Sequence, residues 1–205
     1  MWCRFVALLA LVLALTAAMP LAAQDLGAAE QLVQRGQYAQ AETSLRGIAD
    51  AQPDNAKANY LLGVALLEQD KLDEAEPRLR KALELNHPQD QVKVALGRVH
   101  LQRKQSDQAL ALFNEAQAAN PDNVDAYLYR GVARAGRNEY SAAVEDLEKA
   151  MQLKPDNAKA HYYAGLAYNA IKRPDKMVQH FQLFLKLAPD APEAPRVRSL
   201  LRNVR

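Results

Sequence analysis

The stretch that decides the fold is residues 121–155, which read PDNVDAYLYRGVARAGRNEYSAAVEDLEKAMQLKP. Its pattern returns every 34 residues within the region 53–189. The glycine column shows the step most simply, and its members are Gly63, Gly97, Gly131 and Gly165. Successive members differ by 97−63, 131−97 and 165−131, which is 34 each time. Self-similarity at a fixed period is typical of a solenoid built from repeated units.

Other residue types recur at the same 34-residue interval. One alanine column contains Ala41, Ala75, Ala109 and Ala143, with Met177 in the fifth place. A second column of small residues contains Ala82, Ala116 and Ala150. Prolines recur at Pro53, Pro121, Pro155 and Pro189, and His87 followed by Pro88 stands where one proline is missing. Several columns in one register exclude accidental periodicity in an ordinary helical bundle.

Each repeat predicts a pair of helices. Residues 56–69 and 73–86 both carry apolar side chains three or four positions apart, so each places them on one helical face. Asp70-Lys71 is the predicted turn. The Pro-Asp-Asn linkers at 53–55, 121–123 and 155–157 end one pair and cap the next, because proline breaks a helix and Asp or Asn accepts a backbone N–H bond. Small residues are predicted where two helices approach closely.

Residues 25–189 resemble the tetratricopeptide repeat family. The third repeat carries the family pattern at Leu96-Gly97, Ala109, Phe113, Ala116 and Pro121, and the fourth at Tyr127, Gly131, Tyr140, Ala143, Leu147, Ala150 and Pro155. The resemblance implies an all-α, right-handed α-solenoid of about five repeats, at 25–53, 56–88, 90–121, 124–155 and 158–189. Val197, Leu200, Leu201 and Val204 predict a capping helix over 195–205.

The N-terminus has the layout of a secretory signal peptide. Arg4 precedes an apolar run from Phe5 to about Ala18, and small residues end at Ala23, after which we expect cleavage. The alternative is an uncleaved anchor, although the run is shorter than the roughly 20 residues of a membrane span. Cys3 precedes the apolar run, so the mature chain would hold no cysteine. We therefore expect a periplasmic or secreted protein.

Composition excludes several functions. Lysine and arginine number 26 against 24 acidic residues, which gives no case for a nucleic-acid partner. No phosphate-binding glycine loop and no nucleophile motif occurs, so we predict no enzyme, no catalytic residue and no cofactor. His161 and His180 lie on the two helices of one pair and could approach each other. Two ligands alone do not make a metal site, so no metal is predicted and structural roles are favoured.

The resemblance implies a concave groove lined by the first helix of each repeat, which would hold a peptide or a helix of a partner. The predicted groove residues are Tyr60, Val64, Val94, Arg98, Leu128, Val132, Tyr162, Leu166 and Asn169. This set is rich in apolar residues, and a contiguous apolar surface usually indicates a partner. Tyrosine and arginine are also the residue types that anchor interfaces.

These features predict a non-enzymatic interaction scaffold or assembly factor in the periplasm, with a protein partner in the cell envelope. An accessory subunit that presents substrate to an envelope enzyme is an alternative. A receptor for cell-wall glycan is disfavoured because the only tryptophan, Trp2, leaves with the signal. The predicted capping helix carries Arg196, Arg198, Arg202 and Arg205 on its outer face, where a solubilising role and contact with anionic lipid are both open.

Overall fold

The computed structural model describes residues 21–202, and every described element is an α-helix or the turn that joins two of them. The eleven described helices are α1 Leu21–Gln34, α2 Tyr38–Ala51, α3 Ala56–Leu67, α4 Leu72–Glu84, α5 Gln89–Gln102, α6 Ser106–Ala119, α7 Val124–Gly136, α8 Tyr140–Leu153, α9 Ala158–Ala170, α10 Pro174–Leu187 and α11 Ala194–Arg202. The all-α prediction is confirmed. The predicted signal segment up to residue 20, and residues 203–205 of the predicted cap, lie outside the described residues.

The chain divides into two compact units between His87 and Pro88. In the first unit, α1 pairs with α2 and α3 pairs with α4. In the second, the hairpins are α5–α6, α7–α8 and α9–α10, and α11 packs on α10. Within each unit the first helices of successive hairpins touch, which is the stacking expected of a helical solenoid.

The Pro-Asp-Asn linkers act as the sequence predicts. The side chains of Asn55, Asn123 and Asn157 each accept a bond from the backbone N–H three residues later, at 3.0 or 3.1 Å. Such a cap satisfies one of the N–H groups that the first turn of a helix leaves without a partner. The helix α5 begins after Pro88 instead, without a side-chain cap.

The turn inside each hairpin requires a left-handed residue. Five positions with φ between 58° and 73° recur at the 34-residue step, and they are Gly36, Asp70, Lys104, Asn138 and Lys172. In each case the following N–H bonds to the carbonyl five residues earlier, as from Lys71 to Leu66. This geometry closes the C-terminal end of the first helix. Only Gly36 adopts it without steric cost to a Cβ.

The glycine column lets paired helices approach, as predicted. A Cβ added to Gly97 or Gly165 would lie 2.4 Å from the ring of the phenylalanine sixteen residues later. A Cβ on Gly131 would lie 2.9 Å from Leu147 and 3.1 Å from the carbonyl oxygen of Ala143. The alanines of both columns are fully buried as well. Larger side chains here would push the helix axes apart.

The segment predicted as a capping helix, 195–205, contains most of α11, which spans Ala194–Arg202. Ala194 and Val197 are buried against the core that also contains Phe181 and Phe184. Its polar face carries the exposed arginines Arg196, Arg198 and Arg202. One of them is tied back to the protein, because Arg198 donates to the carbonyl of Pro189 at 2.8 Å.

Candidate functional site

The second unit contains a cavity of about 570 Å³, which we call the groove. It is lined by side chains of α5, α7 and α9, of the last turn of α10, and of the segment that leads to α11. Its lining residues are Arg98, Leu101, Gln102, Tyr129, Val132, Ala158, Lys159, Tyr162, Tyr163, Phe184, Ala188, Ala191, Pro192 and Glu193. The helices that contribute most of these side chains are the first helices of three successive repeats, as the family resemblance implies.

Four aromatic side chains line the groove, namely Tyr129, Tyr162, Tyr163 and Phe184. Tyr162 and Tyr163 meet edge to face with ring centroids 5.1 Å apart, and Tyr162 lies 5.3 Å from Phe184. The guanidinium of Arg98 lies 4.7 Å from the ring centroid of Tyr129. Rings packed on one another lose little freedom when a ligand arrives, so this wall is preorganised for apolar contact.

The groove also carries a few polar groups. Arg98 and Lys159 bring positive charge and Glu193 brings a carboxylate. Burial, and then the neighbouring Tyr129, Tyr162 and Glu193, raise the pKa of the Tyr163 hydroxyl. That hydroxyl therefore keeps its proton at neutral pH and can donate a hydrogen bond. An apolar wall with a few placed polar groups is the usual composition of a binding site.

Three of the predicted groove residues line this cavity, namely Arg98, Val132 and Tyr162. Val94 and Leu128 are buried in the core clusters of the second unit, and only 1% of Leu128 is exposed. Leu166 packs half-buried against the same core, whereas Asn169 is exposed at the end of α9. In the structure, Val94, Leu128 and Leu166 pack against the core. A binding role for these three residues and for Asn169 stays a prediction.

Tyr60 and Val64 belong to the first unit and are half-buried. The ring of Tyr60 stacks on His87, with centroids 4.3 Å apart. His87 is the residue that replaces a linker proline, so the break in the proline column supplies an aromatic contact instead. Binding by Tyr60 or Val64 also stays a prediction.

Sequence reasoning missed several lining residues. Tyr129 and Tyr163 each follow a predicted groove residue by one position, and their ring size was the signal that could have identified them. Phe184 stands where other repeats have an alanine, so its bulk reaches the groove. The wall made by 191–193 comes from sequence outside the repeat register, where periodicity carries no information.

Two buried polar clusters lie outside the groove. Asp146 on α8 is paired with Arg130 and Arg134 of α7, at 2.6 and 2.9 Å. His161 and His180 face each other across the α9–α10 hairpin, with their Nδ1 atoms 3.0 Å apart. The predicted approach of these histidines is confirmed. Within residues 21–202, no group of three or more His, Cys, Asp or Glu side chains is arranged to hold a metal ion.

Comparison with known proteins identifies the family. Three family models described as tetratricopeptide repeat match residues 32–99, 96–164 and 159–191. Together they span most of the chain, and the chain is a tetratricopeptide repeat protein. Arrays of this kind present extended surfaces to other proteins, which makes this chain a protein-interaction scaffold.

Solved structures share the fold at low sequence identity. TTC0263, a thermophilic TPR protein of Thermus thermophilus, is 21% identical with a TM-score of 0.78, covering 88% of this chain and 99% of its own. MamA from Desulfovibrio magneticus RS-1 is 24% identical with a TM-score of 0.62, covering 85% and 99%. YrrB, a TPR protein with an unusual peptide-binding site, is 20% identical with a TM-score of 0.57, covering 85% and 90%. No curated protein matches the chain.

Proposed function

We propose that this protein is a non-enzymatic scaffold of the cell envelope that binds a peptide or a helix of a partner protein in the groove. The observation that carries the proposal is the aromatic wall formed by Tyr129, Tyr162, Tyr163 and Phe184 around a cavity of about 570 Å³. This volume falls within the roughly 300–1,000 Å³ range of binding sites. Peptide binding by YrrB, which shares the fold, adds support.

The chemistry of the groove narrows the class of partner segment. Its apolar floor suits one or two aromatic or aliphatic side chains, because these gain most from leaving water. Arg98 and Lys159 favour a carboxylate next to those side chains. The segment we expect is therefore apolar with an acidic residue beside it.

Export is the second component of the proposal, and it rests on the pattern of residues 1–23. Cleavage after Ala23 would leave Gln24–Gln34 of α1, so the hairpin with α2 would keep most of its first helix. Mass measurement of the protein recovered from the periplasm should give a chain that begins at Gln24. A full-length mass in the membrane fraction would favour the uncleaved anchor instead. No helix within residues 21–202 has the length and apolar character to span a membrane.

The exposed arginines of α11 suggest an additional contact with anionic lipid. Each basic residue near such a surface contributes roughly 1 kcal/mol, and the attraction falls with added salt. Replacing Arg196 and Arg202 by glutamine should abolish salt-sensitive binding to phosphatidylglycerol vesicles. Equal binding by the variant and the native protein would remove the membrane from the proposal.

Site-specific crosslinking in cells tests the groove. A photoreactive residue should replace Val132, which lines the cavity, because Leu128 is buried and would place the probe in the core. The control position is Glu145, which is exposed on α8. We expect one envelope protein to be crosslinked through position 132 and not through position 145. The same products at both positions, or none at 132, would reject the groove as the binding surface.

The crosslinked segment then gives a quantitative test. A synthetic peptide of that segment should bind the native protein, and Val132→Lys should weaken the affinity at least tenfold because it buries a charge against an apolar ligand. Glu145→Lys makes a charge change outside the groove and should leave the affinity unchanged. Circular dichroism of both variants checks that helicity is retained.

A further inference from the structure

The fifth hairpin is held by a pair of buried imidazoles. His161 on α9 is 6% exposed and His180 on α10 is 9% exposed. Their Nδ1 atoms lie 3.0 Å apart, and the Nε2 atom of His161 lies 2.9 Å from the carbonyl oxygen of Pro155. The pair therefore links α9, α10 and the linker that precedes the hairpin.

Hydrogen-bond chemistry assigns the protons. A carbonyl oxygen only accepts, so the Nε2 atom of His161 carries its proton and donates to Pro155. In a neutral imidazole the other nitrogen is then an acceptor, so the Nδ1 atom of His180 must donate to the Nδ1 atom of His161. Both nitrogens of a neutral His161 are then committed to hydrogen bonds.

The surroundings of His180 oppose a positive charge. The groups that face it are His161 and Tyr168 from α9, Glu148 from α8, and Lys176 on its own helix. Burial first, then the charges of His161 and Lys176, lower the pKa of His180 to about 4, and Glu148 acts in the opposite direction. The Glu148 carboxylate already accepts a bond from the hydroxyl of Tyr168, whose ring stacks nearly parallel on His180 with centroids 5.3 Å apart.

Acid acts on this arrangement through proton uptake. One extra proton on the Nε2 atom of His180 would bury a cation, which costs free energy. Separated imidazoles in water bind protons with an ordinary pKa of about 6.5. Opening of the hairpin therefore takes up protons and is favoured as the pH falls.

We propose that the His161–His180 pair makes the fifth hairpin a pH-sensitive switch that opens in acid and dismantles one wall of the groove. Tyr162 follows His161 on α9, and Phe184 lies one turn beyond His180 on α10. Their rings are in contact across the hairpin, with centroids 5.3 Å apart. Separating the two helices moves both rings, so the groove loses its shape whatever partner it binds.

Amide hydrogen exchange of the full chain tests the switch without any partner. Protection is measured at pH 7.5 and pH 5.0 and corrected for the intrinsic exchange rates. Opening should become about 30-fold more favourable at pH 5.0, because the imidazole of His180 takes up a proton at an ordinary pKa once it is exposed. We expect amide protection to fall accordingly in residues 158–187. The α7–α8 hairpin, residues 124–153, serves as the internal reference and should change far less. Equal changes in both hairpins, or none in 158–187, would overturn the proposal.

Two variants separate titration from a general effect of acid. His180→Leu introduces the residue that the third repeat carries at the corresponding position, Leu112, and removes the titrating group. His161→Asn follows Asn59 of the second repeat, whose amide donates to the carbonyl of Pro53 at 3.1 Å, so the linker bond should be retained. His180→Leu should keep α9–α10 protected at pH 5.0, whereas His161→Asn leaves His180 buried and should still lose protection there. Loss of protection in folded His180→Leu equal to that of the native protein would show that the pair is not the switch.

Discussion

The fourth and fifth repeats place different chemistry at the same register position. Asp146 and His180 are 34 residues apart, and both are buried polar groups on the second helix of their hairpin. Asp146 bonds to Arg130 and Arg134, which carry permanent charge, whereas His180 bonds to a neutral imidazole. Tyr168 of the fifth repeat occupies the position of Arg134. These two repeats therefore share a register position at which a buried polar group joins the two helices, and the chemistry of the side chains decides how that contact responds to pH.

The fourth repeat surrounds its charges with further partners. Arg130 also donates to Asn114 at 2.8 Å and to Gln117, and its guanidinium lies 5.5 Å from the ring centroid of Tyr127. These contacts satisfy the N–H groups of Arg130 that do not bond to Asp146. A buried ion pair need not stabilise a fold relative to apolar residues, but removing one partner leaves the other charge buried and uncompensated.

The largest expected effect is therefore from Asp146→Asn. Loss of the carboxylate leaves Arg130 and Arg134 without their charge partner, and we expect the free energy of unfolding to fall by about 3 kcal/mol. Urea denaturation at pH 7.5 measures it. Asp175→Asn in the fifth repeat is the control, because the ion pair of Asp175 with Arg173 is exposed and screened by water. This variant should lower the free energy of unfolding far less. Equal losses of unfolding free energy in the two variants would show that the effect of Asp146→Asn does not depend on its burial.

The second-largest expected effect is a loss of unfolding free energy in acid that comes from the fifth repeat. The pKa of His180 is lowered to about 4, so its contribution is fully present above about pH 6.5 and is lost as the pH falls through 4. We expect the free energy of unfolding to fall by about 3 kcal/mol across that window. His180→Leu should flatten the profile there. Glu42, whose hydrogen bond from Lys71 helps to lower its pKa to about 2, loses its contribution in a lower window, below about pH 4.5. An unchanged slope in His180→Leu would assign the acid sensitivity to other groups.

The glycine column gives the third test. Gly165→Ala should destabilise by about 2 kcal/mol, because the new Cβ would lie 2.4 Å from the Phe181 ring. Gly131→Ala should cost about 1 kcal/mol, because its new Cβ would meet Leu147 at 2.9 Å and the carbonyl oxygen of Ala143 at 3.1 Å, both less close than the Phe181 ring is to Gly165. Gly136→Ala, with nothing within 4 Å of its Cβ, is the control and should leave the melting temperature unchanged or slightly raised. The reverse order for the first two would contradict this account of their packing.

The smallest effect concerns a single hydroxyl. Tyr168→Phe removes a bond to the Glu148 carboxylate and should lower the free energy of unfolding at pH 8 by about 1 kcal/mol. Burial, and then that bond, raise the pKa of Tyr168 to about 12, so its contribution is present below pH 10 and is lost as the pH rises through 12. Tyr140→Phe in the fourth repeat, whose hydroxyl bonds to Asn138 in an exposed position, is the matched control and should lose less. Equal losses would show that the Glu148 bond adds nothing.

The sequence predicted the helices, caps and close-packed columns because each depends on local or periodic chemistry. Asn55 caps a helix through a backbone N–H three residues away, and Gly131 meets the residue sixteen positions later in the same hairpin. The groove was predicted only in part. Leu128 and Tyr129 are neighbours in sequence, yet one lies in the core and the other lines the groove. The tilt of each helix decides between them, and periodicity does not contain that angle.

The left-handed turn residues show a related limit. Asp70, Lys104, Asn138 and Lys172 share a backbone conformation but no side-chain chemistry, so their column is invisible to a search for repeated residue types. The closing bond to the carbonyl five residues earlier imposes that conformation. It costs roughly 1 kcal/mol or more per non-glycine residue, which the packing of the hairpin offsets.

By itself, the sequence determined that this protein is an array of helical hairpins, because a 34-residue period of small residues and linker prolines suits no other packing. It also determined that His161 and His180 lie on paired helices. Only the tertiary structure decided that their imidazoles meet at 3.0 Å and that Tyr129, Tyr163 and the segment before α11 wall the groove. The physical reason is that a period specifies which residues face a neighbouring helix, whereas contact depends on helix tilt, side-chain rotamers and non-repeated segments.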